Sequence, residues 1–285
     1  MNTNPKESMK AAVRTVLPLF FRKRLALWLN SQGGVAPARR SWWVQELLRD
    51  LAEKDINEYH KFLWSNHLSY AETYEVASRF GRENMKMSRT MFFDDLEQHL
   101  ASVPMHAADV KSVFEVGCSL GYQLRYLETD LFPAATVLEG ADIDAYAIQA
   151  GTEYLAGIGS KVRLTCQDME LLERSLGSRQ YDVILCTGVL MYLKEEEARQ
   201  LVSVLLRHTG GMIGFSGLAL PDRDNADMEQ SVPRESDHSF IHNIDSMVKD
   251  AGGRIVARRW EGSRIVDGNT IYFVFATGPA TAPMK

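Results

Sequence analysis

The sequence has no excess of positive charge to offer a phosphate backbone: 32 Lys and Arg stand against 37 Asp and Glu, for a formal net charge of −5. A nucleic-acid partner would need a local basic patch concealed by that average, and none is expected. Cysteine is scarce. Cys118, Cys166 and Cys186 are odd in number, lack CxxC spacing and fall in or beside strand-like runs, which fits reduced packing thiols better than disulfides or zinc ligands. No apolar run approaches the roughly 20 residues of a spanning helix, and the N-terminus lacks an apolar core with a cleavage site. The expected location is the cytoplasm. One glycine is also missing. In "SVFEVGCSLGYQLRYLETD", Ser112 to Asp130, an apolar run ends at Gly117 and the next glycine is Gly121, whereas a dinucleotide-binding turn wants another at Ser119.

What is present suffices for a large core. A chain of 285 residues, 45% hydrophobic and 24% charged, forms one large domain or a domain with an appendage. Its vocabulary changes near residue 110, predicting a helical lid or dimerisation region over 1–110 and an α/β domain over 111–285. In the first part, "RSWWVQELLRDLAEKD" spaces Trp43, Leu47, Leu48 and Leu51 as a helix stripe, "HLSYAETYEVASRF" puts Tyr70, Tyr74 and Ala77 on one face, and Ser88 reads as a cap for the helix that ends near Leu100. In the second part, "SVFEVG", "TVLEGAD", "VRLTCQD", "YDVILCTG" and "GGMIGFSGL" alternate with helical segments, the mark of a parallel sheet with crossover helices on both faces. Then "NIDSMVKDAGG" reads as a helix capped by Asn243, and "RIVARRWEG" and "TIYFVFATG" as a hairpin turned at Asp267-Gly268.

That order of elements resembles the class I S-adenosylmethionine-dependent methyltransferases, from roughly Lys111 to Gly278. Four linked motifs carry the resemblance: "VFEVGCSLG" after strand one, "EGADID" ending strand two, "CQDM" ending strand three and "YDVILCTGVLMYL" through strand four. It implies a doubly wound, seven-stranded, mostly parallel α/β sheet with a C-terminal antiparallel hairpin, here extended by N-terminal helices. It also implies S-adenosyl-L-methionine as cofactor and S-adenosyl-L-homocysteine as product, bound by Glu115, Gly117, Cys118, Ser119, Gly121, Asp142, Ile143, Asp168, Met169 and Thr187, with Arg89 meeting the cofactor carboxylate.

The physical reading agrees with the resemblance. Ligands of a doubly wound sheet lie outside the carboxyl ends of its strands, where Gly117, Asp142, Asp168 and Thr187 would converge. Gly117 and Gly121 permit close backbone approach, Asp142 can accept from ribose hydroxyls, and Asp168 from an adenine amino group beneath Met169 or Leu171. Asp144 or Asp168 taken alone would serve equally well as a helix cap.

The acceptor side is sought in "DMEQSVPRESDHSFIHNIDSM", which follows strand five and should arch over the carboxyl edge. His238 and His242 would share a face if the segment is helical, with Asp237 orienting one imidazole as a general base. The plainer reading is that they are loop polars or helix-capping groups. Tyr70, Tyr74 and Tyr192 are candidate walls for the acceptor or, alternatively, packing groups. No spacing calls for a metal. The acceptor is expected to be a small molecule or glycan precursor methylated on oxygen, with nitrogen as the alternative; "CTGVLMYL" lacks the polar-proline-aromatic clamp of amino-modifying DNA enzymes. A nicotinamide dehydrogenase and a non-catalytic adenosyl-binding protein are the rival readings. Residues 17–29, with Phe20, Leu25, Leu27 and Trp28 beside Arg22, Lys23 and Arg24, could touch an anionic membrane, although packing or homodimer formation is the plainer use.

Overall fold

A computed structural model describes residues 17–31, 37–68, 76–234 and 237–279. The chain falls into two compact units, Met1–Glu75 with Asp144–Tyr146, and Val76–Ile143 with Ala147–Lys285. Among the described residues no helix is long and apolar enough to cross a membrane.

In the smaller unit, α1 (Leu19–Ser31), α2 (Pro37–Lys54) and α3 (Ile56–Ser65) bury one stripe each. Leu47, Leu48 and Leu51 meet Ala26, Tyr59 and Leu63, as the helical spacing requires. Asp55 caps α3 by accepting from the Glu58 amide at 3.2 Å. The basic cluster of α1 is partly used in packing. Arg22 is buried, donating to the Leu17 and Leu47 carbonyls at 2.9 and 2.8 Å and to Asp50, whose carboxyl it holds below the usual range. Lys23 pairs with Glu58 at 2.5 Å. A guanidinium that completes an internal network is not presented to lipid headgroups, although Phe20 and Trp28 remain more than half exposed.

The larger unit carries the sheet. Its strands are β1 (Ser112–Val116), β2 (Val137–Asp142), β3 (Arg163–Cys166), β4 (Tyr181–Thr187) and β5 (Thr209–Gly217), then the two-residue β6 (Val232–Pro233) and β7 (Phe240–Ile241), and the long β8 (Arg254–Val266) and β9 (Asn269–Thr277). The seven-stranded order is β3-β2-β1-β4-β5-β9-β8, parallel through β5 and antiparallel at β9 and β8, while β6 and β7 pair separately. This is the expected doubly wound sheet with its terminal hairpin. Asp267 and Gly268 turn that hairpin at φ 52° and 83°, the left-handed pair that a two-residue connection needs.

Helices cover both faces: α4 (Met87–Leu100), α5 (Tyr122–Tyr126), α6 (Ala145–Gly157), α7 (Leu172–Leu176), α8 (Glu195–Arg207) and α9 (Ile244–Asp250). The period of two along β9 divides the core. Phe273 and Phe275 pack with Phe92, Phe93 and Leu96 of α4, whereas Tyr272, Val274 and Ala276 pack with Leu205 of α8 and Val248 of α9. Asn243 caps α9 as expected, its Oδ1 accepting from Ser246 N at 2.9 Å. Ser88 does not cap α4; Lys86 occupies that position, and the Ser88 amide inside the first turn donates to Asp267 Oδ2 at 2.7 Å. The helix is thus capped from the hairpin. Arg259 of β8 adds two hydrogen bonds of 2.6 Å to the buried Asp95 of α4.

Candidate active site

The turn after β1 answers the question of the missing glycine. Gly117, Ser119 and Gly121 all have left-handed backbones, with φ 72°, 50° and 80°. Ser119 therefore adopts the glycine conformation at a steric cost, and its amide donates to Asp142 Oδ2 at 2.7 Å. That bond locks the turn to the end of β2, where the Gly117 amide also donates to the Ala141 carbonyl at 2.8 Å. A Cβ at Gly117 would lie 2.2 Å from Val189 Cγ2, so the turn and the loop after β4 leave no room for a side chain there. Behind the turn, a Cβ at Gly151 of α6 would lie 2.3 Å from the Leu120 carbonyl oxygen. Helix and turn are in backbone contact.

The other strand ends line up beside it. Asp142 is in register with Cys166, so Ile143 and Asp168 follow from adjacent strands. Asp168 is half-buried and accepts from the Glu170 amide at 3.1 Å, so it does cap the following turn. Met169 is half-buried against the core, while Leu171 is exposed. Cys118 departs from the cofactor-binding expectation: its side chain is buried against Gly140, and burial first, then the Glu115 and Asp142 charges, push its thiol well up.

Beneath the turn, Glu115 is fully buried, and burial pushes its carboxyl up to about 8, with Arg89 opposing and Asp142 reinforcing the shift. Gln123 Nε2 donates to Glu115 Oε1 at 2.7 Å and to Thr187 Oγ1 at 3.1 Å, tying the ends of β1 and β4 to α5. Arg89 enters from α4; a Cβ on Gly188 would stand 3.4 Å from its Nη2. The structure thus assembles Glu115, Thr187 and Arg89 in one neighbourhood, with Gln123 as a member that sequence reasoning missed. A glutamine two residues beyond the glycine turn, among apolar helix positions, was the available signal.

The segment after β5 is built differently from the expectation. Instead of winding into a helix, it pairs β6 with β7, and His238 has φ 61°, so His238 and His242 share no helical face. His242 is buried, with Nδ1 2.7 Å from Ser231 Oγ and Nε2 2.9 Å from the Leu190 carbonyl. A carbonyl only accepts, so Nε2 carries the proton and Nδ1 accepts from the serine hydroxyl. Burial lowers the imidazole's pKa, keeping this neutral tautomer. With both nitrogens held by the fold, His242 joins the segment to the loop after β4 and has no nitrogen left to act as a base.

Asp237 is engaged by Arg234 and Ser239. It accepts from Arg234 Nε at 2.9 Å and Ser239 Oγ at 2.7 Å; burial works against its charge, but these bonds hold the carboxyl below its usual range. Tyr192 lies in the fields of Asp237, Arg234 and Arg89, and burial and then Asp237 push its phenol up to about 12. His238 is half-buried. Tyr70 and Tyr74 lie outside the described residues. The organiser of this segment, also missed from sequence, is Asn225. It is fully buried, donates to the Leu218 and His242 carbonyls at 2.9 and 2.8 Å, and accepts from Leu220 N and Trp260 Nε1 at 2.8 and 3.0 Å.

Residues 114–211 match a family model described as a methyltransferase domain. Among curated proteins none matches the sequence. Among solved structures, the chain is similar to magnesium protoporphyrin IX methyltransferase from Synechocystis PCC 6803 with bound SAM, at 16% identity over 82% of this chain and 96% of that one, TM-score 0.47. It is similar to an S-adenosylmethionine-dependent methyltransferase from Clostridium acetobutylicum ATCC 824 at 12% identity, over 72% and 97% of the two chains, TM-score 0.48. It is also similar to the glycopeptide N-methyltransferase MtfA complexed with SAM, at 16% identity over 67% and 93%, TM-score 0.46.

Proposed function

We propose that this chain, which belongs to the class I S-adenosylmethionine-dependent methyltransferases, transfers the methyl group to an oxygen of a small-molecule acceptor. The observation that carries the reading is the locked turn: three left-handed residues at Gly117, Ser119 and Gly121, fastened to Asp142 by the 2.7 Å bond from Ser119. Bound S-adenosylmethionine supplies a methyl group already activated by its sulfonium. The chain has to bind, align and exclude water, and alignment alone can be worth roughly 7–11 kcal/mol of barrier.

The residues fit that cofactor. Asp142 offers a carboxylate to ribose hydroxyls, and Asp168 with Met169 serves the adenine. Glu115 favours its ammonium, and Arg89, beside Gly188, favours its carboxylate. On the acceptor side, Tyr192, Arg234 and Asp237 form a charged wall near Arg89. An alcohol acceptor must lose a proton, and with His242 committed to Leu190 and Ser231 we assign that task to His238. A neutral amine acceptor can lose its proton to solvent after transfer and so would not depend on such a base. We place the reaction in the cytoplasm, in keeping with three thiols read as reduced.

The test is transfer from methyl-labelled S-adenosylmethionine to a panel of hydroxyl- and amine-bearing metabolites and glycan precursors, read by mass spectrometry. Hydroxyl acceptors methylated by wild type and lost in His238→Ala support the reading. Transfer only to amines, indifferent to His238→Ala, would replace oxygen by nitrogen.

A further inference from the structure

Beneath the glycine turn, two buried oxygen atoms have nothing to accept from. Glu115 Oε2 and Gln123 Oε1 are both inaccessible and without a hydrogen-bond partner among the described residues, although their side chains are joined through Gln123 Nε2 and Glu115 Oε1 at 2.7 Å. With Glu115 ionised, both orphans are acceptors and neither can satisfy the other. A single proton on Glu115 Oε2, donated to Gln123 Oε1, would satisfy both and close an acid–amide ring. The remaining Nε2 hydrogen of Gln123 already has its acceptor, Thr187 Oγ1, at 3.1 Å.

We infer that Glu115 and Gln123 form a carboxylic acid–amide pair that holds a proton in the ligand-free protein and releases it to solvent when the cofactor's cationic end binds. The inference rests on the reading of this turn as the S-adenosylmethionine site and adds Gln123 to it as a positioning residue. The surroundings are consistent with a neutral acid. The groups that act on Glu115 are Gln123 from α5, Arg89 from α4, Asp142 from β2, Cys118 from the turn and Cys186 from β4. Arg89, acting through space, and the Gln123 Nε2 donor favour ionisation. Asp142 opposes ionisation, and both thiols are held neutral by burial, Cys186 pushed up to about 12. Burial of Glu115 is the largest influence on its proton. An arriving ammonium and sulfonium, against one carboxylate, add net positive charge beside it. The balance is one carboxylic acid becoming one carboxylate, with one proton passed to buffer.

The experiment has two arms. In calorimetry of S-adenosylmethionine binding at pH 7, run in two buffers of different ionisation enthalpy, wild type should release close to one proton per molecule bound. Affinity should rise by about tenfold per pH unit between pH 6 and 7. Glu115→Gln, which preserves the shape of the neutral acid, should release none. In infrared spectra of the ligand-free protein at pH 7, a carboxylic-acid carbonyl band should be present, absent in Glu115→Gln and shifted in Gln123→Leu. Buffer-independent heats with pH-independent affinity overturn the proton release, and the absence of the band overturns the acid–amide pair. If no S-adenosylmethionine binding is detected, the functional reading and the proton release that rests on it fail, while the infrared band still decides the acid–amide pair.

Discussion

Replacing Glu115 by glutamine should change how stability depends on pH. In the folded chain burial pushes this carboxyl from the ordinary 4.5 up to about 8. The folded protein therefore keeps a proton that the unfolded chain gives up, and between those values stability falls as pH rises, by about 1.4 kcal/mol per unit. Below pH 4.5 the contribution is whole, and above pH 8 it is spent. Over the two units from pH 5.5 to 7.5 the loss is about 3 kcal/mol, a large share of a typical domain's margin. Glutamine has no proton to hold and should not show this decline. Carboxyls shifted the other way, such as Asp50, Asp224 and Asp237, act equally in both proteins and cancel in the difference. Urea unfolding of wild type and Glu115→Gln at the two pH values tests this. The variant's stability relative to wild type should increase by about 3 kcal/mol toward pH 7.5, and parallel pH dependences would refute the buried neutral acid.

Other substitutions test the remaining parts of the site. Ser119→Gly relieves a left-handed serine at φ 50°, so it should stabilise the protein by up to about 1 kcal/mol after glycine's entropy is counted, and leave cofactor affinity nearly unchanged. Thermal unfolding and calorimetry would check both. Gly117→Ala forces a methyl against Val189 at a left-handed backbone; a cost of about 1–3 kcal/mol and at least a tenfold loss of cofactor affinity are expected from the same two assays. His242→Ala strands the Leu190 carbonyl and the Ser231 hydroxyl and should destabilise the protein by about 2 kcal/mol or more in chemical denaturation. His238→Ala should lower the turnover of a hydroxyl acceptor by about a hundredfold or more in steady-state assays.

Strands and caps were legible because their signals are local. The period of two in "TIYFVFATG" and the Asp267-Gly268 pair dictate β9 and its turn with no help from the rest of the chain, and Asn243 caps α9 through an amide three residues on. What could not be read depends on partners remote in sequence. Gln123 acquires its role from Thr187, 64 positions away, and Asn225 from Trp260, 35 away. The spacing of His238 and His242 matches a helix, but the segment finds a better arrangement in which His242 enters the core and satisfies the Leu190 carbonyl. Ser88 lost its capping role to Asp267 for the same reason: a carboxylate delivered by a distant hairpin reached the amide first. Arg22 illustrates the ambiguity of charge, since a basic residue between aromatics reads as surface until Asp50 is placed beside it.

The central claim is that the locked turn and Asp142 hold an adenosyl cofactor. Calorimetric titration with S-adenosylmethionine and S-adenosylhomocysteine, with NADH as control and Asp142→Ala beside wild type, tests it most directly. The account predicts micromolar binding of both adenosyl compounds, lost in Asp142→Ala, and none of NADH. Binding of NADH without the adenosyl compounds would contradict it and assign the turn to a nicotinamide cofactor.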